Sequence, residues 1–181
     1  MSHEVAIVCV SETSTLESVA LRGMLEYFGY TPFVHWIGSV EQFKDVLAGK
    51  MDLPEMIVLS CHGTEQGFYG TDNVVIPLED IAVRLPGKNV LSLGCVTGLE
   101  PFAKKFISGG ANRYIAPSCY PEGNSSLMFA TMFFWKFQLT KDAEQSWKEA
   151  SSILTDTEDA FHLYRKIKSG MSVDGIREIH T

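Results

Sequence analysis

Two short apolar runs constrain this chain more than any other feature. One is Ile57-Val58-Leu59-Ser60, running into Cys61-His62-Gly63; the other is Asn89-Val90-Leu91-Ser92-Leu93, running into Gly94-Cys95. Each is rich in β-formers, bounded by turn residues and too short for a lone helix, so each reads as a buried strand. Each also carries a reactive side chain at its carboxyl end. In an open α/β sheet, parallel neighbours end at one edge, and ligands bind at that edge. A histidine and a cysteine meeting there would supply a thiol nucleophile with its general base.

The rest of the chain supplies a sheet for such strands. Residues 5–10 read as a buried strand, and Ser11-Glu12-Thr13-Ser14-Thr15 as turn and cap residues before a helix. Residues 16–28 form that helix, with Leu16, Val19, Ala20, Met24, Tyr27 and Phe28 at helical spacing and Gly29 as its stop. Residues 32–37 read as a second strand whose Pro32, His35 and Trp36 place it near the sheet edge. Residues 40–47 form a short helix with Val40, Phe43, Val46 and Leu47 on one face. Strand and helix alternate, which predicts a parallel sheet covered on both faces. Farther on, residues 64–73 read as a loop or small hairpin and 78–85 as a short helix. A helix over 99–107 and a strand over 114–116 follow, then a turn-rich loop over 117–126. Residues 127–139 are almost wholly apolar and read as a buried helix, while 143–154 and 158–167 are helical in pattern and more polar. The expected architecture is one three-layer α/β/α domain over residues 1–181 with a mostly parallel central sheet.

Composition narrows the function classes. With 181 residues, 45% of them hydrophobic and 20% charged, the chain has the means for one ordinary globular core. A formal net charge of −7 disfavours nucleic-acid binding, which needs a basic face. No run is as long as a membrane span, and Met1-Ser2-His3-Glu4 lacks the basic-then-apolar start of a signal peptide. No membrane partner is expected, and residence is expected to be cytoplasmic. There Cys9, Cys61, Cys95 and Cys119 would be free thiols. A dinucleotide-binding glycine motif, a P-loop and a serine-hydrolase elbow are all absent, so no cofactor is expected. Cys61, His62, Cys95 and Cys119 are zinc-ligand types. Yet neighbours on a strand point to opposite faces, and no C-x-x-C or H-x-x-x-H spacing occurs, so no metal site is expected.

Taken singly, Cys95 is as well read as a small buried hydrophobe, and His62 as a hydrogen-bonded strand-end residue. Together they complete a dyad. Gly63 adds a backbone N–H that no side chain screens from a carbonyl oxygen. Cys95 also precedes a helix, whose N-terminus would favour the thiolate. Cys61 alternates away from His62 and is expected in the core. Glu12, just past the first strand, and Glu122, in the loop before the apolar helix, are two carboxylates able to meet a basic substrate group. Each has a plainer reading, for Glu12 as a helix-start carboxylate favoured by the dipole.

This pattern, an apolar strand ending in Leu59-Ser60-Cys61-His62-Gly63 and a later one reading Val90-Leu91-Ser92-Leu93-Gly94-Cys95-Val96-Thr97-Gly98, resembles the caspase–hemoglobinase fold of cysteine peptidases. Gly109-Gly110-Ala111 before Tyr114-Ile115-Ala116-Pro117, and the helix ending Phe133-Phe134-Trp135-Lys136-Phe137, extend the likeness over residues 56–150. Within that clan it is most similar to the CHAT branch. The resemblance implies His62 as general base and acid, Cys95 as nucleophile, and the N–H groups of Gly63 and Cys95 as the oxyanion hole. It also implies peptide or protein substrates, with Glu12 and Glu122 as candidates for reading a basic residue before the scissile bond. Two alternatives stay open: a catalytically silent member of the fold acting as a binding or regulatory module, and a flavodoxin-like domain holding a small ligand at the same sheet edge.

Overall fold

The structure is a computed structural model that describes residues 4–121, 123–154, 161–166 and 176–179. The two apolar runs are strands β3 (Met56–Ser60) and β7 (Asn89–Ser92), and the opening run is β1 (Glu4–Cys9). All three are buried almost throughout, as strands covered by helices on both faces must be. With β2 (Thr31–Trp36), β8 (Arg113–Pro117), β9 (Phe161–Lys166) and β10 (Ile176–Ile179) they form a seven-stranded sheet in the order β10-β9-β8-β7-β3-β1-β2. Strands β2, β1, β3, β7 and β8 run parallel; β9 and β10 extend the sheet antiparallel. β2 takes the edge that its Pro32 and half-exposed side chains foretold. β3 and β7 are direct parallel neighbours, with Leu59 level with Ser92.

Helices sort by face. α2 (Val40–Leu47) and α3 (Glu100–Ser108) cover one side, where Phe68 meets Phe43 and Phe102 edge-on at 5.5 and 5.3 Å between centroids. Phe68 comes from a small antiparallel sheet of β4 (Gly63–Thr64), β5 (Gly67–Tyr69) and β6 (Val75–Pro77), which fills the region expected as a loop or hairpin. α1 (Thr15–Tyr27), α4 (Gly123–Thr140) and α5 (Ala143–Ser151) cover the other side, packing Leu21, Leu25, Phe129, Phe133, Phe134 and Trp147 together. Among the described residues no helix is long and apolar enough to cross a membrane.

Three expectations are corrected. The apolar positions read as the buried face of α1 face outward: Leu16 is 79%, Val19 52% and Tyr27 86% exposed, while Ser18, Leu21 and Leu25 are buried. Spacing alone gave two candidate stripes, and the tertiary contacts with β1 and α4 select the one containing Leu21 and Leu25. Residues 78–85 hold a single 3-10 turn, Leu78–Asp80, instead of a helix. Their backbone groups go elsewhere: Arg84 N–H donates to the Leu47 carbonyl at the end of α2, and Leu85 N–H to Gly109 at the end of α3. Finally, residues 161–166, expected as helix, are strand β9, paired in register with β8 from Arg113–Arg165 to Pro117–Phe161. Aromatic and branched side chains buried on both faces, Phe161, Leu163 and Tyr164, favour the strand. The remaining positions of that expected helix, 158–160 and 167, lie outside the described residues.

The face of α1 is open to direct measurement. Leu21→Ala is expected to destabilise the fold by about 2–5 kcal/mol, as a buried leucine truncation does. Tyr27→Ser should change stability by no more than about 0.5 kcal/mol, as for an exposed position. Chemical denaturation of the two variants reads both values.

Candidate active site

In a parallel order of β2-β1-β3-β7-β8, the chain leaves β1 toward one side and returns on the other. The carboxyl ends of β1 and β3 therefore flank a crevice. A cleft of about 300 Å³ opens there, near the lower end of the roughly 300–1,000 Å³ usual for ligand sites. Thr13, Ser14 and Glu17 enter it from the segment after β1, Cys61 and His62 from the end of β3, and Leu93 and Cys95 from the end of β7. Leu16, Ala20, Pro121 and Leu127 supply apolar wall. The two residues singled out in the sequence thus line one cavity.

Close backbone approach fixes their relation. A Cβ on Gly63 would lie 2.4 Å from the Cys95 carbonyl oxygen and 2.5 Å from Thr97 Cγ2. A Cβ on Gly94 would lie 3.1 Å from Cys61 Sγ and 3.3 Å from the Gly63 nitrogen. The turn after β3 and the turn after β7 therefore touch, and glycine is what allows it. Tyr69 N–H donates to the His62 carbonyl at 3.0 Å, so His62 and Tyr69 form a hydrogen-bonded pair of the β4–β5 hairpin. The next pair along, Gly63 with Phe68, is the non-bonded kind, which directs the Gly63 N–H out of the hairpin. Among the described residues no backbone carbonyl takes the Cys95 N–H.

The turn after β7, which carries Cys95, is strained and tightly held. Val96, buried and β-branched, has φ 53°, a left-handed conformation that such residues rarely adopt. Its N–H donates to the Cys119 carbonyl at 2.8 Å, and Gly98 N–H donates to Pro117 at 2.7 Å. The Tyr114 hydroxyl donates to the Thr97 carbonyl and the Tyr164 hydroxyl to the Gly98 carbonyl, both at 2.8 Å. Thr97 Oγ1 closes the turn on the Gly94 carbonyl at 2.7 Å.

His62 is exposed, and its Nε2 is hydrogen-bonded to Thr13 Oγ1 at 2.7 Å, in a hydroxyl chain that continues through Ser11 to Ser14. No hydrogen bond joins it to Cys95 among the described residues, an arrangement common in unliganded thiol sites. Helix α3 begins at Glu100, five positions past Cys95. Burial raises the Cys95 thiol above its ordinary value, and Glu17 adds to the rise. The neighbouring Cys61 thiol, buried in the core as expected while its sulfur also reaches the cleft, is pushed up to about 12, first by burial. Among the described residues no group of three or more His, Cys, Asp or Glu is placed to hold a metal ion.

The carboxylate of this cleft is Glu17, one turn into α1. Ser60 Oγ donates to its Oε1 at 2.6 Å, and burial raises its carboxyl above the ordinary range. Glu12 is exposed and outside the lining, and Glu122 lies outside the described residues. Thr13 and Glu17 were missed because residues 11–15 read as turn and cap polars and Glu17 fell inside the helix read over 16–28 from its apolar positions alone. The signal that pointed to them was position, since both follow the carboxyl end of a buried parallel strand.

No family model matches the sequence, and no curated protein matches it either. Solved structures do. The Arg-specific cysteine proteinase gingipain R (RgpB) superposes with a TM-score of 0.59 at 12% identity, covering 87% of this chain and 43% of that one. The complex of Porphyromonas gingivalis RgpB pro- and mature domains matches at a TM-score of 0.52 and 12% identity, covering 76% of this chain and 37% of that one. This chain thus spans less than half the length of the proteins it resembles. At such identity the likeness concerns the fold, and with β9 and β10 added antiparallel beyond the flavodoxin-like order of the parallel strands, that fold is the caspase-like one of the gingipain cysteine proteinases.

Proposed function

We propose that this chain is a cysteine peptidase acting through a Cys95–His62 dyad. The observation that carries the reading is the placement of both side chains in one cleft at the carboxyl edge of adjacent parallel strands, on a fold similar to that of a cysteine proteinase. His62 takes the thiol proton, and the Cys95 thiolate attacks a peptide carbonyl. The oxyanion forms against the Gly63 and Cys95 N–H groups. His62 then gives its proton to the leaving amine, and water hydrolyses the thioester. A ring rotation from Thr13 toward Cys95 brings the base into line, with Thr13 as the alternative partner that holds it when substrate is absent.

In this reading the residue before the scissile bond is basic. Its aliphatic stem lies along Leu16, Ala20 and Leu127, and its charge meets Glu17, in the role first considered for Glu12 and Glu122. Kinship with the CHAT branch belongs to the same proposal and rests on the His-Gly and Cys motifs. A second reading, a silent binding module, is favoured by two observations: burial raises the Cys95 thiol above its ordinary value, and His62 is engaged by Thr13.

Two variants separate these readings. A peptidyl acyloxymethyl ketone with a basic residue next to the warhead is expected to label Cys95, and His62→Ala should slow labelling by roughly 10²–10⁴-fold, the usual worth of a positioned base. Labelling that is absent, or equal in His62→Ala, leaves the binding module as the account. Gly63→Ala puts a methyl group against the Cys95 carbonyl and Thr97. It should cut labelling by roughly 10²–10³-fold, the order of one lost oxyanion donor, with its folded state checked by thermal melting.

A further inference from the structure

Among the described residues the cleft pairs two partly exposed acids, Glu17 and Cys95, beside the buried Cys61, with no lysine or arginine in its lining. His62 is exposed and turned to Thr13. The groups around the two acids can be taken element by element. α1 contributes Glu17, with Ser14 neutral beside it. The end of β3 contributes Cys61, His62 and Ser60, which bonds Glu17. The end of β7 contributes Leu93 and Cys95, and the far wall contributes Pro121, Ser126 and Leu127, none of which titrates. Among the described lining residues only His62 is able to carry positive charge, and it is exposed. Anionic charge on Glu17 and on Cys95 is therefore mutually opposed in a site that burial already makes hostile to both.

We propose that a cationic side chain entering this cleft is itself the activating event: by lying against Glu17 it supplies the countercharge that lets Cys95 ionise. Recognition and nucleophile activation are then one electrostatic step. The thiol proton passes to His62, the S–H bond is the only bond broken, and the cation, Glu17, thiolate and imidazolium form an alternating set of charges. Without a cation the thiol stays protonated, which protects a peptidase from unselective alkylation and oxidation. The raised thiol and the raised Glu17 carboxyl, each attributed first to burial, agree with this arrangement. The inference rests on the peptidase reading and adds to it a substrate that switches on its own nucleophile.

The test uses the full chain and a neutral electrophile. Cys95 alkylation by iodoacetamide is followed against pH by peptide mass spectrometry, alone and with ethylguanidinium, with ethylurea as the uncharged isostere at equal ionic strength. The midpoint, not the plateau, is the readout, because a probe that merely blocks access lowers the plateau and leaves the midpoint in place. Ethylguanidinium is expected to lower the midpoint by roughly one pH unit, the size of a nearby opposite charge, and ethylurea to leave it alone. Glu17→Gln, which keeps a partner for Ser60, should start with a lower midpoint than the wild type and ignore the cation. A wild-type midpoint indifferent to ethylguanidinium overturns the proposal, and this arm needs no variant to fold. If His62→Ala still slows peptidyl labelling in that case, the peptidase reading stands without it; if that dependence is absent too, both fall.

Discussion

The approach of Gly63 to the Cys95 carbonyl is the constraint on which the site depends. Two parallel strands, β3 and β7, are level at Leu59 and Ser92, and the chain must then leave each strand without the two turns colliding. A side chain at either of the facing positions would force them apart: a Cβ at residue 63 meets backbone oxygen at 2.4 Å, and one at residue 94 meets sulfur and methyl at 3.1 Å. The contact does two things together. It sets the spacing between the His62 and Cys95 backbones, and it lays the Gly63 nitrogen, whose N–H points out of the hairpin, beside the turn after β7. The juxtaposition of His62 and Cys95 is therefore a property of two glycines as much as of the two side chains.

Burial explains the electrostatics. Cys95 is half-buried in a cleft also lined by Leu93, Leu127 and Pro121, and a thiolate there loses hydration that a backbone hydrogen bond only partly replaces. Glu17 is in the same position, with one short bond from Ser60 as its compensation. Linkage fixes the sign for stability. A carboxyl whose folded pKa is raised binds its proton more tightly in the fold, so Glu17 costs stability as pH rises through its unfolded value toward its folded one. Retaining a destabilising carboxylate at the base of a cleft is the pattern expected of a group kept for binding rather than for packing.

Much of this was legible in the sequence. Buried parallel strands announce themselves as unbroken apolar runs, and Ile57 to Leu59 with Val90 to Leu93 were enough to place His62 and Cys95 at one edge. What failed did so for definite reasons. α1 offered two apolar stripes, and the longer one, through Leu16 and Tyr27, proved to be the exposed one, because β1 and α4 take up Leu21 and Leu25. Strand β9 has polar residues between aromatic ones, a spacing that serves a helix as well, and only pairing with β8 decides it. Glu12 was singled out because it follows the strand end directly, and Glu17 was not considered. The chain curls through a 3-10 turn at Glu12–Ser14 before α1 starts, which leaves Glu12 outside and carries Glu17 over the end of β3.

The late part of the chain has a function that its polar sequence conceals. A buried valine at φ 53° costs on the order of 1–3 kcal/mol, and such a residue persists only where its surroundings over-determine it. Those surroundings come from beyond the nucleophile: the carbonyls of Pro117 and Cys119 accept from the turn, and the hydroxyls of Tyr114 and Tyr164 donate to it. β8 supplies two of these groups, the Pro117 carbonyl and the Tyr114 hydroxyl, Cys119 follows two residues beyond it, and β9, antiparallel to β8, supplies Tyr164. The turn bearing Cys95 is thus bent by its own sequence and clamped by two strands that follow it.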